Sequence, residues 1–370
     1  MASSHLVSPL LLLTLTSSCL LFLQSRPSNA DSLRSCHFEQ IYNFGDSISD
    51  TGNLIRQKPI VAGATLAAML PYGETFFKRP TGRWSNGRLM IDFIAKASGL
   101  PFLNPYLEKE ADFRHGVNFA VSAATALPAK VLAKYNITDT LTNSSLHVQL
   151  DWMSKHLNST RVKPKTSLFF VGEIADNDYN FANFDGKSQE IKVLVPQVVA
   201  AIMSGVRRVI SSFGADRVIV PGLFPRGCSP IYLTIFPTNN ASAYDEQGCL
   251  KEINAIAYYH NILLQEAIIE LKTENPDVII VYGDYYSAFQ WVFNHSVQFG
   301  FDGNSTRKSC CGIGGDYNFN VTRQCSPEVP VCPNPNKFIW WDGVHMTEAV
   351  YKKMAGWLIK DMLPKLKCWV

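Results

Sequence analysis

Serine, histidine and a carboxylate are the parts of an activated nucleophile, recognised by role rather than by order in the chain. Two distant stretches of this sequence supply them. Ser47 lies in Phe44-Gly45-Asp46-Ser47-Ile48-Ser49-Asp50-Thr51-Gly52-Asn53, just after the short apolar run Ile41-Tyr42-Asn43-Phe44. That run reads as a buried strand, so the serine would stand where a strand gives way to a turn, presented from a rigid base. By itself it is an ordinary turn or cap serine. Near the other end, Trp340-Trp341-Asp342-Gly343-Val344-His345 places an aspartate three residues before a histidine, close enough for its carboxylate to orient the imidazole. His345 would take the proton from the Ser47 hydroxyl, and Asp342 would fix the imidazole tautomer and stabilise the imidazolium. The remaining histidines of the mature chain, His37, His115, His147, His156, His260 and His295, have no such carboxylate setting and read as surface or structural.

These groups need a scaffold. Unbroken apolar runs at 41–44, 117–121, 166–174, 217–220 and 278–282 read as buried strands, and helical spacing is read at 89–97, 146–157, 196–213, 244–272 and 346–363. In the 196–213 segment, Pro196 would sit in the first turn, and Gly214 would stop the helix. Continuous Val/Ile/Phe strands alternating with long helices imply parallel strands covered on both faces. The expected fold is α/β, a three-layer α/β/α sandwich with a central parallel sheet. Functional residues then gather at the carboxyl ends of the strands, where Ser47, Ala123 and Asn177 fall. The stretch 54–78 reads as a surface excursion of the kind that can wall a cleft, and 285–331 as a loop-rich, cysteine-rich cover.

Length and composition fit this scaffold. The 370 residues are 46% hydrophobic and 18% charged, with a formal charge of only +3. That argues against disorder and gives no basis for binding nucleic acid or an anionic membrane. Residues 1–30 read as a cleaved signal peptide, with an apolar run from Pro9 to Leu23 and small residues at Ser28 and Ala30. No later segment reads as a membrane span, so stable membrane insertion is not expected. One domain is expected over 31–370, in a secreted or vacuolar protein, and a monomer. One of the nine cysteines, Cys19, falls in the leader, leaving the even set Cys36, Cys228, Cys249, Cys310, Cys311, Cys325, Cys332 and Cys368. An even number behind a leader implies disulfides, and with no CxxC pair or histidine in the 310–332 group a metal site is not expected. Seven glycosylation sequons, at Asn136, Asn143, Asn158, Asn240, Asn294, Asn304 and Asn320, fit an N-glycosylated surface.

The Ser47 and His345 stretches resemble the plant GDSL esterase/lipase family of the wider SGNH hydrolases. Three further blocks resemble it in the same order: Gly82-Arg83-Trp84-Ser85-Asn86-Gly87-Arg88, Gly116-Val117-Asn118-Phe119-Ala120, and Val171-Gly172-Glu173-Ile174 with Asn177-Asp178-Tyr179-Asn180. The resemblance spans essentially the whole mature chain and is nearest to the subgroup of acetylajmalan and sinapine esterases. It implies a flavodoxin-like fold and a secreted, cofactor-free serine esterase acting on an acylated plant metabolite, an alkaloid or phenolic ester, through an acyl-Ser47 intermediate. It also implies a Cys228–Cys249 disulfide, and an oxyanion hole made by the N–H groups of Ser47 and Ala123 and the side-chain amide of Asn177. Transfer of the acyl group to an alcohol at the same site, and a catalytically silent binding protein, are the alternatives.

The chain departs from the family's pattern twice. Ala123 stands where glycine is common, which costs roughly 1 kcal/mol if the site needs positive φ. Ala175-Asp176 stands in place of Gly-Gly, next to Asn177. A carboxylate about 6 Å from the developing oxyanion would oppose it by roughly 3 kcal/mol at an effective dielectric of about 20. The expected outcomes for Asp176 are that repulsion, exposure to solvent, or pairing with a cationic substrate.

Overall fold

The computed structural model describes residues 33–57, 66–160 and 166–368; the leader read at 1–30 lies outside them. Five strands, β1 (Gln40–Phe44), β2 (Gly116–Asn118), β3 (Ser167–Val171), β4 (Arg217–Pro221) and β5 (Ile279–Gly283), form one parallel sheet in the order β2-β1-β3-β4-β5. β1 lies inside the sheet, with Asn43 beside Asn118 of β2 on one side and Phe170 of β3 on the other. The chain therefore leaves β1 toward one side and β3 toward the other, opening a crevice at their carboxyl ends.

Alternation along the strands divides the core. Tyr42, Phe44, Phe169, Val171, Val218 and Val220 point to one face, where they meet the helices Leu146–Thr160, Ile191–Phe213 and Lys251–Glu274. Ile41, Leu168, Phe170, Ile219 and Val281 point to the other, against Met90–Ala97, Tyr285–Asn294 and Glu348–Met362. Both faces are buried, which is why the strands read as continuous apolar runs rather than alternating ones. The three-layer α/β/α sandwich is the one the sequence implies.

Several boundaries differ from those read in the sequence. The long helix starts at Ile191, so Pro196 lies in its interior rather than its first turn. Burying Ile191, Leu194 and Val195 outweighs the single backbone hydrogen bond that Pro196 removes. This helix is also long and apolar enough to cross a membrane by length and composition, which the sequence reading did not find; here Val195, Val198, Ile202, Val206 and Val209 pack in the core. The helix expected from residue 244 begins at Lys251, because Tyr244 bridges Leu250 in a short antiparallel turn closed by the Cys228–Cys249 disulfide. The stretch read as loop from 285 opens instead with the helix Tyr285–Asn294, capped by the Asp284 carboxylate accepting from Ser287 N–H at 3.0 Å.

Four disulfides form: Cys228–Cys249, the pair the resemblance implied, with Cys36–Cys368, Cys310–Cys332 and Cys311–Cys325. Cys36–Cys368 ties the first described residues to the last. A bridge closing so long a loop restrains the unfolded chain strongly, so Cys36→Ser with Cys368→Ser is expected to cost about 2–5 kcal/mol, read as a lower denaturation midpoint.

Candidate active site

Ser47 follows β1 in a loop shaped by two buried aspartates. Asp46 Oδ1 accepts from Ile48 N–H at 3.0 Å. Asp50 accepts from the N–H groups of Gly52, Asn53 and Leu54 at 2.6–3.1 Å, and from Ser122 N–H at 2.8 Å. Asn118 Nδ2 donates to the Ser49 carbonyl at 2.6 Å, and Asn53 Nδ2 donates to the carbonyls of Asn118 and Ala120. These bonds lace the Ser47 loop to the segment carrying Ala123. Asp178 ties in the third segment, accepting from Ala126 and Leu127 N–H at 2.8 and 3.0 Å. Burial pushes the Asp178 carboxyl up to about 7 even though the two backbone donors pull it down.

The residues singled out in the sequence meet at one cleft of about 420 Å³, lined by Ser47, Ala123, Asn177 and His345 together with Asp46, Asp176 and Arg226. Asp342 stands behind His345. Its Oδ2 accepts from His345 Nδ1 at 2.8 Å, and its Oδ1 accepts from His345 N–H and Val344 N–H at 2.7 and 3.0 Å. A carboxylate only accepts, so Nδ1 carries the proton and Nε2 is left as the basic nitrogen. Burial would raise the Asp342 carboxyl, but the His345 ring and these hydrogen bonds hold it below its ordinary value. Gly343, with φ of 92°, makes the tight turn, where a Cβ would clash with the Phe319 ring. The cysteine-rich segment backs this loop, with Cys310 and Cys311 N–H donating to the Trp340 and Trp341 carbonyls.

Two contributors were not legible as site residues. Tyr72, from the supposed surface excursion, is 1% exposed and donates its hydroxyl to Asp342 Oδ2 at 2.8 Å. Nothing in local spacing signals it, because its partner is 270 residues away. Trp84 packs edge-on to Tyr72 and lies 5.1 Å, ring to ring, from His345. Tyr72→Phe removes one hydrogen bond to a charged group and leaves the ring packing intact. It is expected to lower kcat about tenfold with little change in Tm, checked by steady-state hydrolysis and calorimetry.

Ala123 sits at φ of 63°, so the condition that penalises a β-carbon is met. Ala175, at φ of 143°, is a second alanine in positive-φ territory, immediately before the helix Asp176–Phe184. Ala123→Gly relieves roughly 1–2 kcal/mol of left-handed strain but gives back about as much in chain entropy and lost methyl burial. Its unfolding free energy should stay within about 1 kcal/mol of wild type, measured by denaturant titration.

Among the described residues, neither Ser47 nor Ala123 N–H donates to a protein acceptor, so both are available to the cleft. Asn177 is different. Its Nδ2 donates to Asp46 Oδ2 and to the Ala124 carbonyl, both at 3.0 Å. Asp176 begins a helix that the sequence reading did not include, and it points neither to open solvent nor to an unpaired site. Its side chain is 12% exposed, and Oδ2 lies 3.1 Å from Arg226 Nε. That guanidinium offsets the negative charge next to Asn177, so the roughly 3 kcal/mol repulsion is an upper bound for this geometry. His156 and His260 are core residues, His260 Nδ1 meeting the Tyr179 hydroxyl at 2.8 Å.

Residues 41–358 match the model of the GDSL-like lipase/acylhydrolase family. The chain is 44% identical to acetylajmalan esterase 1 of Rauvolfia serpentina over 342 residues, 90% of this chain and 89% of that one. It is 46% identical to acetylajmalan esterase 2 of the same plant, with 90% and 92% covered. A GDSL esterase/lipase of Arabidopsis thaliana is 43% identical over 360 residues, 94% and 90% of the two chains. The chain belongs to the GDSL-like lipase/acylhydrolase family and is a carboxylic ester hydrolase.

Proposed function

We propose that within this family the chain is a secreted serine esterase that cleaves an acylated plant metabolite through an acyl-Ser47 intermediate. The observation that carries the reading is the 2.8 Å Asp342–His345 hydrogen bond, on an imidazole that shares a cleft with Ser47. Ser47 Oγ bonds to the ester carbonyl carbon as its proton passes to His345 Nε2. The carbonyl oxygen becomes an oxyanion, received by the N–H groups of Ser47 and Ala123 and by one Asn177 N–H turned from Ala124 while the other stays on Asp46. Collapse breaks the ester C–O bond, and the departing alcohol takes the proton from His345. Water then repeats the sequence: His345 takes its proton, the carboxylic acid leaves, and Ser47 is restored.

The cleft favours a substrate with a sizeable apolar body. Leu54, Trp84, Phe181, Phe184 and Tyr232 line it, and Phe184, Tyr232 and Phe236 stack at 5.8–6.4 Å between ring centroids. An alkaloid or phenolic ester fits that lining, and the acetylajmalan esterases are relatives consistent with it. Secretion is supported by the apolar leader and by four disulfides, which persist in oxidising compartments. Glycan attachment is supported by six sequon asparagines on exposed surface, Asn136, Asn143, Asn158, Asn240, Asn294 and Asn304, with Asn320 half-buried. Labelling with a fluorescent fluorophosphonate tests the mechanism. Wild type should label, whereas Ser47→Ala and His345→Ala should not; label retained by Ser47→Ala would refute the acyl-Ser47 step.

A further inference from the structure

Around Asn177 lies a buried set of ionisable groups, of which the steps above use only Asp46, as an acceptor for the Asn177 amide. Asp46, Glu173, Asp176 and Arg226 are 1%, 2%, 9% and 4% exposed. Arg226 is engaged with Asp176 and also acts on the neighbouring carboxyls of Asp46 and Glu173, so three buried carboxyls share one guanidinium. The backbone enforces this closeness, Asp46 N–H donating to the Glu173 carbonyl at 3.2 Å.

The donors are shared unequally. Asp46 accepts from Ile48 N–H and from the Asn177 amide. Neither Glu173 carboxyl oxygen receives a donor from the described residues. Two adjacent buried carboxyls cannot both ionise cheaply, so one keeps a proton. The one with donors carries the charge, and the one without keeps the proton. Burial raises the Glu173 carboxyl well above its ordinary value, and the neighbouring Asp46 and Asp176 add to this. Asp46, Asp176, Arg226 and Tyr285 are the charged and titratable groups that face Glu173, while Tyr351 faces Asp46 and Arg226, and His345 faces Asp176.

We propose that Glu173 is a positioning residue for ester hydrolysis: as a neutral carboxylic acid it donates its O–H to Asp46 and thereby fixes the carboxylate that holds the Asn177 amide at the cleft. This rests on the reading of Asn177 as an oxyanion donor. No substrate atom touches Glu173; its action passes through Asp46 to Asn177. In alkaline solution, loss of its proton sets two carboxylates against each other and releases the amide.

A double-mutant cycle with a pH profile tests this on the full-length, disulfide-bonded protein, using p-nitrophenyl acetate. Asn177→Ala should lower kcat by about 10²-fold, the usual cost of an oxyanion donor. Glu173→Leu should lower kcat by on the order of 10-fold or more with KM nearly unchanged, yet cost less than about twofold further in the Asn177→Ala background. Equal losses in both backgrounds would overturn the proposal, since a merely structural role is blind to Asn177. Should Glu173→Leu not fold, Glu173→Gln decides. It keeps a donor toward Asp46 but has no proton to lose, so it should hold kcat within about threefold at pH 7 and escape the wild-type alkaline decline. A decline identical to wild type would overturn the proposal. Undiminished turnover by Ser47→Ala would instead sink the serine-esterase reading, a separate failure.

Discussion

Ser47→Ala is expected to lower kcat for an activated ester by on the order of 10⁶-fold, with KM changed only a few-fold and Tm unchanged. The selectivity follows from how the loop is built. Its shape depends on Asp46 and Asp50, whose carboxylates accept the backbone donors, and alanine at 47 keeps the main-chain N–H that faces the cleft. Substrate binding and the oxyanion donors survive while bond formation does not, so the residue of activity is that of a binding site without a nucleophile. His345→Ala should fall to nearly the same level, and the double variant hardly lower, because the two act as one unit. Stopped assays with p-nitrophenyl acetate and a melting curve check this together. A tenfold loss or less in Ser47→Ala, on folded protein, would place the nucleophile elsewhere.

Asp342→Asn should cost about 10⁴-fold in kcat, the scale seen where an orienting aspartate loses its charge but keeps its shape. Both Asp342 oxygens are used only as acceptors, Oδ1 by Val344 and His345 N–H, and Oδ2 by His345 Nδ1 and the Tyr72 hydroxyl. An amide has one accepting oxygen. Placed with that oxygen at the backbone donors, its nitrogen confronts the Tyr72 hydroxyl and favours the imidazole tautomer with Nδ1 unprotonated, so Nε2 carries the proton and cannot take one from Ser47. Turned the other way, it opposes two backbone N–H groups and disturbs the Gly343 turn. The drop should appear in kcat and kcat/KM alike, with an intact melting transition. A loss under tenfold would show that His345 is oriented by something other than Asp342.

Much of this molecule was legible in its sequence, and for identifiable reasons. The β1, β3, β4 and β5 runs are apolar on both sides because both faces of the sheet are covered, so their unbroken apolar character, alternating with long helices, marked them as buried parallel strands. The Asp342–His345 pairing is a local turn of three residues, readable from spacing. An even set of cysteines after an apolar N-terminal run implied disulfides, though for Cys228–Cys249 it was the family likeness, not spacing, that supplied the pairing. The helix Asp176–Phe184 was missed because Asp-Asn-Asp-Tyr-Asn has poor helical propensity, and packing of Tyr179, Phe181 and Ala182 into the core overrides it. The helix Tyr285–Asn294 was missed because its aromatic residues hide the helical spacing of Ala288, Phe289, Val292 and Phe293.

What folding alone decided is the set of contacts between residues far apart in the chain. Asp176 read as a charge beside the oxyanion donor; Arg226, supplied by the loop after β4, turns it into half of an ion pair. Tyr72 read as part of a loop, and the tertiary fold carries its hydroxyl to Asp342. The sign of φ at Ala123 and Ala175 was open in the sequence, because a dihedral is imposed by what the chain must reach on either side. By itself the sequence determined the buried strands, the family and the Asp342–His345 spacing, since these rest on local periodicity and short-range motifs. Charge balance, backbone strain and the shared proton of Asp46 and Glu173 belonged to the tertiary structure, because each depends on distance and burial that no linear spacing encodes.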